Sequence, residues 1–69
     1  MFRNRVLKAS KQYFEGAIAK HVANVEVMLD NTVGVGEHSD IIETIEKELE
    51  IISNYNDKLE MLNKYFKEA

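Results

Sequence analysis

No cysteine, proline or tryptophan occurs in these 69 residues, and glycine appears three times. Without cysteine there is no disulfide framework, no thiol nucleophile and no thiolate metal site. Without proline nothing forces a break inside a helix, and the three glycines, Gly16, Gly34 and Gly36, leave little turn-forming material. No apolar run approaches the roughly 18 residues that a membrane span requires. Residues 1–8, MFRNRVLK, begin like a signal peptide, but Lys8 and Lys11 interrupt any apolar core. The expectation is therefore a cytoplasmic protein starting at Met1, with no membrane partner.

A marked excess of one charge is also lacking. The net charge is −3, spread unevenly: residues 1–38 carry five Lys/Arg against four acids, and residues 39–69 carry four Lys against eight acids. A sequence-independent nucleic-acid binder needs a basic face with clear excess charge, so nucleic acid is disfavoured as a partner. Arg3, Arg5, Lys8 and Lys11 form the one basic cluster, and a hairpin would bring the acids Glu60 and Glu68 near it.

What is present is periodicity. With 45% apolar and 30% charged residues the composition is that of a folded chain. Leu7, Phe14, His21 and Met28 recur every seventh residue; Ile18 and Val25 fall between them, and Val22 and Leu29 widen the stripe. This is the spacing of one helix face. Lys11 sits in the stripe, where its stem can lie along the seam with the ammonium outside. Gly16 costs the helix about 1 kcal/mol relative to Ala, unless it permits close approach of another helix.

The second half repeats the pattern. Ile45, Ile52, Leu59 and Phe66 form a heptad row, with Ile42 and Leu49 as its companion. That companion row passes to Asn56 and Asn63, while Tyr55 and Leu62 take over one position earlier. A helix of about 3.6 residues per turn drifts in this way against a 3.5-residue repeat. Ser39 or Asp40 is expected to cap this helix, Asp40 with Glu43 forming a capping box. Glu43–Lys47 and Glu60–Lys64 are spaced as favourable outer pairs.

Between the stripes lies NTVGVGEHS, residues 31–39, the only turn-like segment. The fold class is therefore all-α: one domain, residues 1–69, folded as an antiparallel coiled-coil hairpin with a helix over about 3–31, a loop over 32–39 and a helix over 40–67. The register brings together residues whose numbers sum to about 70, so that Met28 meets Ile42, Val25 meets Ile45 and His21 meets Leu49. Each helix would run about 42 Å.

Two helices share a single interface and leave every core residue open on one side. Chains below about 70–80 residues usually need disulfides, metals or oligomerisation to be stable. Further apolar residues also lie off the seam: Phe2, Val6, Tyr13, Val27, Ile41, Ile51, Met61 and Tyr65. A homo-oligomer is expected, a dimer forming a four-helix bundle being the favoured form. Its core and oligomer residues are Phe14, Ile18, His21, Val25, Met28, Ile45, Leu49, Ile52, Leu59, Leu62 and Phe66.

No constellation points to catalysis, a cofactor or a metal. His21, on the apolar stripe, reads as a packed histidine with a hydrogen-bond partner more readily than as a pH-sensitive or ligand-binding group. Glu37-His38-Ser39-Asp40 is the densest polar cluster, yet consecutive residues do not converge on one ion without distant ligands. Gly34-Val35-Gly36 lacks the third glycine and the preceding strand of a dinucleotide loop, and Glu37, Asp40 and Glu43 would repel a phosphate. Val33, Val35, Glu37 and His38 remain as candidate protein-contact residues on the loop. The function this suggests is a non-enzymatic interaction or accessory protein. Alternatives are a nucleic-acid accessory protein using the basic N-terminus and a metal- or ligand-binding bundle.

The block TVGVGEHSDIIETIEKEL, residues 32–49, with Asn24-Val25-Glu26-Val27-Met28-Leu29 upstream and Asp57-Lys58-Leu59-Glu60-Met61-Leu62 downstream, resembles small proteins of marine T4-like cyanophages. Gly34-Val35-Gly36-Glu37-His38 is its most specific element, and the likeness covers the chain from about Lys20 onward. That group has no assigned activity. The resemblance implies a viral origin, a helical accessory protein acting in the host cytoplasm and a host or viral protein as partner; it transfers no catalytic residue.

Overall fold

A computed structural model describes residues 2–30 and 38–69, the second segment with side chains from Asp40 onward. Two helices, α1 (Phe2–Asp30) and α2 (His38–Tyr65), pack against each other, and no strand occurs among the described residues. The hairpin is long and thin, 52 × 15 × 13 Å between Cα atoms. The loop candidates Val33, Val35 and Glu37, and the side chain of His38, lie outside the described residues.

The helix starts illustrate local chemistry. α2 begins at His38, so Ser39 and Asp40 stand in its first turn rather than before it. Asp40 still contributes there, because a carboxylate in the first turn complements the positive end of the helix dipole. The Asp40 carbonyl also accepts a hydrogen bond from Thr44 Oγ1 at 2.7 Å. At the other end, Lys64 occupies the last turn, where a cation suits the exposed carbonyls.

Half-buried residues define the seam. On α1 they are Asn4, Lys11, Ile18 and Val25 in one row and Phe14, His21 and Met28 in the next, the latter row beginning at the buried Leu7. On α2 they are Ile45, Ile52 and Leu59, with Ile41, Glu48, Tyr55 and Leu62 as companions. Both sets recur every seventh residue, which keeps one face of each helix turned toward the other.

The companion row corrects the expected register. Ile42 and Leu49 are 67% and 53% exposed, while Ile41 and Glu48 take their places in the seam. His21 therefore meets Glu48, not Leu49. Phe66 also leaves the seam, being 50% exposed just beyond the last residue of α2. Asn56 and Asn63 face outward.

The ends of the hairpin are clasped by polar contacts that differ from the expected charge pairs. Arg3 donates to the Lys67 carbonyl at 2.8 Å. The Asn4 amide both donates to the Ala69 carbonyl and accepts from its N–H, each at 3.2 Å. Among the described residues the one carboxylate within 4 Å of a basic side-chain nitrogen is Glu48, at His21, so neither the basic cluster with Glu60 and Glu68 nor the outer Glu–Lys spacings form pairs. Lysines lie on aromatic faces instead: Lys58 over Tyr55 and Lys64 over Tyr65, both 5.2 Å from the ring centre. Gly16 faces open space, so its position does not serve a close helix approach.

Candidate functional site

The middle of the seam holds a polar cluster formed by His21, Asn24 and Glu48. His21 reaches it because α1 presents every seventh residue from Leu7 inward; Glu48 reaches it because α2 presents Ile41, Glu48 and Tyr55 on the same side. The His21 Nδ1 and Glu48 Oε2 atoms lie 2.5 Å apart, and their side chains are 16% and 15% exposed. Asn24, one turn along α1, donates from Nδ2 to Glu48 Oε1 at 3.2 Å. Both carboxylate oxygens are thus engaged. Among the described residues no buried side-chain nitrogen or oxygen lacks a partner.

That arrangement explains why a carboxylate is tolerated in an apolar row. An unpaired carboxylate there would be strongly disfavoured, whereas hydrogen bonds to an imidazole and an amide offset much of the desolvation. Each Glu48 oxygen accepts one hydrogen bond within the seam, and the contact at Nδ1 orients the His21 ring. Among the described residues no group of three His, Asp or Glu side chains converges as metal ligands.

Next to His21 an open depression is lined by Gln12, Tyr13, Gly16, Ala17, Lys20 and Tyr55. Three aromatic rings form its neighbour. Phe14 and Tyr55 meet across the seam at a 39° tilt with ring centres 5.9 Å apart, and Tyr13 meets Phe14 and Tyr55 edge-on at 5.8 and 6.2 Å. The two edge-to-face pairs are a favourable ring geometry. Tyr55 pushes the Tyr13 phenol above its ordinary pKa, first as a hydrogen-bonding neighbour and then through the charge of its phenolate.

Of the expected core residues, Phe14, Ile18, His21, Val25, Met28, Ile45, Ile52, Leu59 and Leu62 are half-buried in the seam, while Leu49 and Phe66 stand outside it. Sequence reasoning misses Glu48 and Asn24. Glu48 does carry a signal, since seven residues before Tyr55 lies Glu48 and seven before that Ile41; Asn24 carries none. The apolar pair Ile42 and Leu49 masked that row, because a charged residue in a seam is the exception unless a partner is known.

Comparison of the chain with protein-family models, curated proteins and solved structures gave no match.

Proposed function

We propose that this chain is a non-enzymatic interaction protein, a helical hairpin that associates with a second copy as a four-helix bundle. The observation that carries the reading is the poverty of the core. Leu7, at 8% exposure, is the single buried hydrophobic among the described residues, and eleven large hydrophobics are exposed. Scattered exposed apolar residues are ordinary on a protein surface. Here they outnumber the buried ones, in a fold whose single interface cannot cover them.

Light scattering coupled to size exclusion tests the proposal: the expected mass is a multiple of 8.0 kDa, and a cooperatively folded monomer at micromolar concentration would overturn it.

The role we assign to the assembly is that of an accessory protein, in keeping with the resemblance to small cyanophage proteins, acting in the host cytoplasm on a host or viral protein. Val33, Val35, Glu37 and His38 are the contact residues proposed for that partner. Affinity capture from infected cells, with a bait altered at these four positions in parallel, tests the assignment.

A further inference from the structure

Helix spacing gathers an unusual set of side chains on one flank of α1. Tyr13 and Ala17, and likewise Gly16 and Lys20, are four residues apart, so all four share that flank. Tyr55 of α2 reaches the same flank across the seam, its ring edge-on to Tyr13 at 6.2 Å. The two smallest residues, Gly16 and Ala17, fall between Tyr13 and Lys20 along the helix. A methyl group built at Gly16 meets nothing within 4 Å, and the space left open is a depression of about 340 Å³. Sites for small ligands begin at about 300 Å³.

The charge of this depression runs against that of the chain. The net charge is −3, yet no lining residue is acidic. Lys20 lines it, and Lys58 stands beside it with its ammonium 5.2 Å from the Tyr55 ring centre. Both cations act on the Tyr13 phenol, opposing the rise that Tyr55 causes. Two ammonium groups and two phenols therefore lie within electrostatic reach of one another. Glu48, the carboxylate of the seam, is already held by His21 and Asn24. Aromatic walls beside cations suit a flat anion, whose ring packs against the tyrosines while its charge takes charge-assisted hydrogen bonds. A bare phosphate would leave both rings uncovered, and exposed ammoniums hold an ion weakly by charge alone.

We propose that this depression binds a small aromatic carboxylate, its ring over Gly16 against Tyr13 and Tyr55 and its carboxylate toward Lys20 and Lys58. The site adds a small-molecule ligand to the hairpin and does not depend on self-association.

Titration of the full chain with 2-naphthoate, followed by amide resonances, tests the site. Saturable shifts at Gly16, Ala17 and Lys20 are expected, with a dissociation constant of about 1 mM, the scale for a ligand of this size. 2-Naphthamide keeps the shape without the charge, and octanoate keeps the charge without the rings; each should bind about five-fold more weakly. Gly16→Leu fills the depression with a residue of higher helix propensity. It should retain the helical circular dichroism and weaken 2-naphthoate binding by about ten-fold or more through steric exclusion. Lys20→Gln should weaken binding about five-fold, the upper range for an exposed ion pair. Absence of shifts at about 10 mM, ten times the expected constant, overturns the proposal. So do shifts centred away from Gly16, equal binding of the amide or of octanoate, and unchanged affinity in folded Gly16→Leu. Should Gly16→Leu unfold, unchanged affinity in Lys20→Gln overturns it instead.

Discussion

The half of the hairpin near the chain ends and the half near the loop are held by different forces. Near the ends, Leu7 is buried and Phe14, Tyr55, Leu59 and Leu62 continue an apolar seam, with Asn4 and Arg3 fastening the tail. Toward the loop, the seam passes through His21, Asn24 and Glu48 before returning to Val25, Met28, Ile41 and Ile45. Apolar burial is nearly indifferent to a sliding shift, since any aliphatic neighbour serves. A carboxylate in a seam is not: it is tolerated only opposite its donors. The end half supplies most of the adhesion and the loop half most of the specification of register.

Leu7→Ala tests the adhesive half and should have the largest effect. Removing a buried leucine costs about 2–4 kcal/mol, a large part of the about 3–5 kcal/mol a core of this size supplies. Urea unfolding followed by helix circular dichroism should lose its cooperative transition; a loss below about 1 kcal/mol would mean another element bears the load.

Glu48→Ala comes next, leaving the His21 and Asn24 donors without an acceptor at a cost of about 1–2 kcal/mol. Combining His21→Leu with Glu48→Leu sharpens the comparison. Replacing a buried pair by apolar residues should leave stability within about 1 kcal/mol of the parent, or raise it. The cost should appear in uniqueness, as extra or broadened amide resonances from slipped registers. A single sharp spectrum would show that the apolar seam alone sets the register.

Gly16→Ala should act with the opposite sign. The added methyl meets nothing within 4 Å, so the helix-propensity gain of about 0.5–1 kcal/mol is realised in full. Smallest is Asn4→Ala, which removes two exposed hydrogen bonds to Ala69. A loss of about 0.5 kcal/mol or less is expected, with faster amide exchange at the C-terminal residues.

Much of this fold is legible in the residues. Heptad spacing marks both helices, and the glycine-containing segment between them marks the reversal, because helical period and turn chemistry are local properties. The core row from Ile45 through Ile52 to Leu59 is legible for the same reason. Its companion was misread by one residue. Hydrophobicity favours Ile42 and Leu49, and only a partner on the other helix makes Glu48 acceptable inside.

The two helices, the reversal between them and an apolar stripe too wide for a two-helix seam all follow from spacing along one chain. Which part of that stripe faces the other helix and which part stays open depends on packing between residues distant in the chain. Turning α2 about its axis by about 50°, half the angle between neighbouring residues, keeps the Ile45–Ile52–Leu59 row inside and exchanges Leu49 for Glu48. The meeting of His21 and Asn24 with that carboxylate, between residues far apart in the chain, selects the second arrangement and leaves Val22, Leu29, Ile42 and Leu49 uncovered.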